Sequence, residues 1–265
     1  MIRFMSILRA VLLAVCCAFA VLPVPVQAQI TDLNSAINKA GRGRMLSQRM
    51  AKAYLQLGQG IDTTRSRRVL DASIALFDRQ LVELKNYAPS ADTRATSLAL
   101  EKASIAYKDV LVGMTPSRER APDVLRLSDE VLALAHQLTA QFEALSGTPA
   151  GRLVNLAGRQ RMLSQRMAKL HQALHWNLPA GKMHDDLVRA RTEFAAAQTE
   201  LEAAPVNTEQ LKRDLRLASQ QWFFFQDALD QKGLDPMVRA TNVASTSERI
   251  LEMMEEVVSG YEAQR

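Results

Sequence analysis

The sequence predicts an all-α protein of two tandem antiparallel four-helix bundle units packed with pseudo-twofold symmetry. Three observations predict it. The chain is rich in Ala, Leu, Met, Gln, Arg and Glu and only 5% aromatic, which favours helices over sheets. Apolar residues recur at helical spacing from Thr31 nearly to the end, interrupted at regular places by Gly, Pro and Asn. The third observation is a repeat. The block Ala40–Lys52 returns as Ala157–Lys169, 117 residues later, and the thirteen positions differ once, Gly43 against Gln160.

In chain order, residues 1–28 read as a cleavable secretory signal. Arg3 and Arg9 form its charged end, residues 10–22 its apolar core, and Val26-Gln27-Ala28 its cleavage site. A retained membrane anchor is the alternative, opposed by Pro23 and Pro25, which break the apolar run short of a bilayer span. A lipoprotein reading fits poorly because Cys16 and Cys17 lie in mid-core. Cleavage would remove the only two cysteines, excluding disulfides, thiolate nucleophiles and cysteine metal sites. The net charge of +5 falls further with Arg3 and Arg9, and no long basic run suggests nucleic acid. The expected location is the periplasm.

Ile30-Thr31-Asp32 caps a first helix to about Gln59, closed by Gly58 and Gly60. Asp62-Thr63-Thr64 opens a second, with Leu70, Ile74, Phe77, Leu81 and Leu84 on its stripe, ending before Pro89. A third runs from about Asp92 to Gly113 and a fourth from about Pro122 to Leu145. Residues 146–151 (Ser-Gly-Thr-Pro-Ala-Gly) make the strongest break, and a fifth helix follows from about Arg152 to Trp176. The sixth ends near Ala204, the seventh spans Thr208 to Gln231, and the eighth reaches about Tyr261. Gly60 falls on Asn177 and Pro116 on Gly233 at the repeat offset, so the repeat covers whole units, residues 29–146 and 147–265. One long bundle of intermingled helices is the alternative.

On a helical wheel with Asn38 at zero, Gly41 falls at about 300°, Arg44 at about 240°, Gln48 at about 280° and Ala51 at about 220°. The stripe thus carries a small residue, a guanidinium, an amide and another small residue. Gly inside a helix costs about 1 kcal/mol relative to Ala and is kept where a ligand or backbone must approach closely. Arg42 and Arg49 point elsewhere, beside Asn38. Two such helices side by side bring Arg44 and Arg161 together, and two buried guanidinium groups lacking a counter-charge cost several kcal/mol. A small anion relieves that cost, and planar guanidinium forks suit planar oxyanions. The alternative is a packing seam in which each Arg bonds to Glu, Asp or a carbonyl. Ser47 and Ser164 either face a ligand or bond back to their own helices. Met45, Met50, Met162 and Met167 read as core.

The pattern Asn-x-Ala-Gly-x-x-Arg-Met-x-Ser-x-Arg, at Asn38–Arg49 and again at Asn155–Arg166, resembles the ligand-recognition box of bacterial nitrate/nitrite sensor kinases. It also resembles the N-terminal periplasmic domain of type IV pilus methyl-accepting chemotaxis transducers. The resemblance implies a periplasmic four-helix bundle in which an Arg from each of two paired first helices grips one nitrate. By that resemblance Gly41, Arg44, Gly158 and Arg161 are the anion-contacting residues. Asn38, Ser47 and Arg49, with Asn155, Ser164 and Arg166, match the rest of the box, and Gln48 and Gln165, read from the helical stripe, join them as supporting residues. The chain departs from the family by lacking flanking transmembrane helices and a signalling region, and by holding both boxes itself. Arg42 and Arg159 also add charge inside the box, pointing to a more highly charged anion.

His171, His175 and His184 could ligate a metal, but the first repeat has Tyr54 and Gly58 at the first two positions, and a plain helix face is the preferred reading. Trp222-Phe223-Phe224-Phe225 reads as core or inter-unit packing, with a partner-binding surface as the alternative. No nucleophile–base pair, carboxylate dyad or phosphate loop is apparent, so no catalysis, metal or cofactor is expected. Two functions remain: a small-oxyanion binding or sensory module that signals through a separate transmembrane protein, and a helical interaction or scaffold protein whose boxes are a packing seam.

Overall fold

A computed structural model describes residues 30–231 and 233–264; the signal-peptide expectation lies outside them. Eight helices account for the described chain, with no strand among the described residues: α1 (Leu33–Gly58), α2 (Thr63–Tyr87), α3 (Ala91–Val112), α4 (Ala121–Ser146), α5 (Pro149–His175), α6 (Met183–Glu202), α7 (Glu209–Asp230) and α8 (Pro236–Glu262). None is long and apolar enough to cross a membrane.

The helix starts follow capping chemistry. Asp32, Asp62, Ser90, Thr148, Thr208 and Asp235 each accept a bond from a first-turn amide, and Ser90 with Thr93 makes a reciprocal capping box. The fifth helix begins earlier than the sequence suggests. Thr148 caps it and Pro149 takes the first helical position, where a missing N–H costs nothing, so Pro149–Gly151 belong to the helix and not to the break. Gly60 (φ +74°) and Asn177 (φ +53°), equivalent in the two halves, both take the left-handed conformation after their helices.

α1 and α5 run parallel, side by side, at the centre. α1 is flanked by α2 and α4, and α5 by α6 and α8; α3 closes against α4 and α7 against α8. The apolar stripes of all eight helices feed one continuous core that crosses from one half to the other. The two halves correspond at 117 residues through the box helices but at 119 through the last helices. Gln48 Nε2 donates to Ser128 O and Gln165 Nε2 to Ser247 O; Asn155 bonds Glu143 and Asn38 bonds Glu262. That shift decides which residues of α4 and α8 face the boxes.

The Trp222–Phe225 run is not buried all round. Trp222 and Phe225 point inward, with Trp222 stacked on Phe194, whereas Phe223 and Phe224 are 66% and 54% exposed. Four consecutive helical positions sweep most of a turn, so two of them must leave the core.

Candidate functional site

The two boxes face each other across the α1–α5 seam. A Cβ on Gly158 would lie 3.2 Å from an Arg161 terminal nitrogen and 3.4 Å from one of Arg44. A Cβ on Gly41 would lie 3.1 Å from Arg44 and 3.8 Å from Arg161. The two guanidinium groups therefore converge on the same small space, which the two glycines leave open. Both side chains are almost completely buried, at 1% and 0% exposure.

Their surroundings differ. Arg161 Nη1 donates to Glu255 on α8 at 2.6 Å, and its Nη2 donates to Asn38 Oδ1 (2.7 Å) and Asn38 O. Arg42 reaches the same carboxylate through both Nε and Nη2. Burial opposes ionisation of Glu255, but Arg161 and Arg42 outweigh it and hold the carboxyl at about 2. Arg44 has no such partner. Its Nη1 lies 3.4 Å from His136 Nδ1 on α4 and its Nη2 donates to Asn155 O at 3.1 Å; its Nε, like that of Arg161, has no partner among the described residues. Burial, then Arg161 and Arg159, push the Arg44 guanidinium down to about 9 against a weaker opposing pull from Glu143, so it is still a cation at neutral pH. His136, the 119-offset equivalent of Glu255, is pushed below the usual histidine value by burial, Arg44 and Arg159. It is neutral where Glu255 is an anion.

A cavity of about 310 Å³ opens here between α4 and α5, lined by Arg44, His136, Arg159 and Arg166, by Asp129, and by apolar Leu132, Ala133 and Met162. Arg159 turns to Glu193 on α6, a half-exposed pair. Arg166 turns to Asp186. On the other side Arg49 joins Lys52 on Glu248 of α8. Arg42 and Arg159 thus each already have a carboxylate partner, Glu255 (shared with Arg161) and Glu193.

The supporting residues resolve plainly. Ser47 Oγ donates to Arg44 O and Ser164 Oγ to Arg161 O, each at 2.8 Å, so both serines bond back within their own helices. Gln48 and Gln165 tie the boxes to α4 and α8. Asn38 holds Arg161 through its side chain, while Asn155 Oδ1 is unpartnered. All four box methionines are buried.

Sequence reading missed Glu255, His136 and the buried lysines. Lys52 donates to Glu248, Gln165 and Ser247, and Lys169 to Asp129 and Ser128. The lysines carried a signal, since both close the identical block. Glu255 and His136 carried none, because they become equivalent only under the 119-residue offset. His171, His175 and His184 share a second cavity with Arg239, and burial, with Arg239 and His175 adding, takes His171 down to about 4. No group of three or more metal-type side chains with ligating geometry occurs among the described residues.

Neither a curated protein nor a solved structure matches the chain. The matched span ends before the second box, which repeats the first outside it. Over residues 26–142 the chain matches the PilJ family, the type IV pili methyl-accepting chemotaxis transducer N-terminal domain.

Proposed function

We propose that the protein is a periplasmic sensory module that binds a small planar oxyanion, of the nitrate or nitrite kind, where the two boxes meet. A separate transmembrane signalling partner receives the change. The family match over residues 26–142 supports a sensory and not a catalytic role. The observation that carries the anion is the buried Arg44 guanidinium, which has Arg161 opposite it and makes no ion pair with a carboxylate among the described residues, Glu143 acting on it only at longer range. Taking an ion out of water costs several kcal/mol unless a counter-charge meets it. An oxyanion supplies that charge and bridges α1 to α4 and α5, which gives the bound and free states different helix contacts. A ligand shifts a conformational equilibrium only by such differential contacts.

Calorimetric titration with nitrate, nitrite, acetate and sulfate tests the reading. Saturable binding of a planar monoanion, abolished in Arg44→Ala, supports it; absence of heat with every anion counts against it. A packing seam is the second reading, and one observation favours it: Arg161 already has Glu255 as a counter-charge within its own four helices. If wild type shows no anion response and Arg44→Ala and Arg161→Ala only loosen helix association, the seam reading replaces sensing.

A further inference from the structure

The near-identical boxes would give two equivalent half-sites if the last helices were also equivalent, but they are not. Glu255 sits on α8 where His136 sits on α4. Resting on the oxyanion reading above, we infer that the chain takes one planar monoanion per molecule. It enters the α4–α5 groove at Arg44, His136 and Arg159, and Glu255 fills the equivalent place on the α8 side with the protein's own carboxylate.

Glu255 shows what the box recognises. Its two oxygens meet the Arg42 fork at 3.2 and 2.6 Å, and one of them also accepts from Arg161 Nη1 at 2.6 Å. A planar, singly charged, two-oxygen group satisfies both guanidinium groups. On the α4 side the matching pair is Arg44 and Arg159, and a neutral imidazole stands where that carboxylate would be. The space is present as the cavity of about 310 Å³, and its Arg44 lining is a fully buried cation with no ion pair among the described residues, where Arg161 has Glu255. Arg159 is engaged only with Glu193 at the half-exposed surface, a pairing worth little and easily exchanged. On the α8 side Arg42 has no alternative to Glu255 among its described partners.

The cavity exceeds a bare nitrate, and Leu132, Ala133 and Met162 give it an apolar wall. The class of ligand is therefore a carboxylate headgroup on a short apolar tail, with nitrate the minimal headgroup. Burying two further methylenes against that wall strengthens binding by about tenfold, so butyrate exceeds acetate by that factor if the wall takes part. Equal affinity of nitrate, acetate and butyrate would overturn the tail.

Calorimetric stoichiometry on the whole protein tests the asymmetry. Wild type binds one equivalent of nitrate or acetate. Glu255→Gln opens the second place and binds two. His136→Glu installs a second internal carboxylate, binds none, and melts no lower than wild type, which shows that it is folded. Wild type binding two equivalents, Glu255→Gln unchanged at one, or His136→Glu binding like wild type would each overturn the inference while leaving oxyanion sensing intact. No binding by wild type to any planar anion would overturn both.

Discussion

The α4 side and the α8 side of the central helix pair present the same thirteen-residue box with opposite outcomes. On the α8 side the cations of the first box, Arg42, Arg49 and Lys52, are met by Glu255 and Glu248, and Arg161 shares Glu255. On the α4 side Lys169 has Asp129, but Arg44 has only a histidine and a carbonyl. The boxes place the guanidinium groups; the flanking helix decides whether they are neutralised. A repeat is thus read by its surroundings as much as by its own residues.

The comparison breaks most sharply at the two arginines. Arg44→Ala removes an uncompensated cation, so folding stability should change by less than about 1 kcal/mol while oxyanion affinity falls at least about 100-fold. Arg161→Ala instead strips a partner from Glu255, and should cost about 2 kcal/mol because Arg42 keeps part of the neutralisation. Equal melting temperatures for the two variants would contradict the asymmetry.

Acid titration sharpens it next. The Glu255 carboxyl is held at about 2, below its ordinary 4.5. Its contribution is complete above pH 4.5 and is lost as pH falls toward 2. Glu255→Gln should remove about 2–3 kcal/mol at neutral pH and flatten the stability curve between those limits. An acid-unfolding curve that keeps its slope in the variant would show that other carboxylates set it.

Gly41→Ala and Gly158→Ala probe the space between the guanidinium groups. Each added methyl stands 3.1–3.2 Å from a guanidinium nitrogen, closer than ordinary contact. The helix gains up to about 1 kcal/mol from Ala, so the proteins should fold at least as well. Nitrate affinity should fall by about tenfold as Arg44 and Arg161 are displaced. Unchanged titration would remove the glycines from the site.

The smallest effect is pH-dependent. His136 faces Arg44 of α1, Arg159 and Arg166 of α5, and Asp129 and Glu143 of its own helix. Its folded value lies below 6.5, so it is neutral at pH 7 and charges as pH falls through that lowered value. A bound anion favours the charged imidazole, so nitrate affinity should rise as pH falls below 6.5 toward that lowered value. His136→Gln should abolish the rise.

Much of this fold was legible in the sequence because helix punctuation is local. Asp32, Asp62 and Gly60 act within a few residues of where they stand, and the apolar stripes of α2 and α4 face the core. Pro149 was misread as part of a break because the residue favoured at a first helical position is also the commonest helix breaker. The meeting of Arg44 with Arg161 followed from the repeat. The partner of Arg161 did not, since Glu255 lies 94 residues away on a helix whose register differs from that of the boxes. Hydrophobicity alone puts Phe223 and Phe224 with Trp222 and Phe225 in core or inter-unit packing, and only the helix phase places them outside.

The most direct test of the central claim is thermal melting of wild type and Arg44→Ala with and without saturating nitrate. A ligand at 100 times its dissociation constant stabilises the folded state by about 2.7 kcal/mol. For a chain of this size that raises the melting temperature by several degrees. The account predicts that rise in wild type and none in Arg44→Ala, whose own melting temperature stays close to the wild-type value. The same rise in both proteins, or in neither, would contradict it.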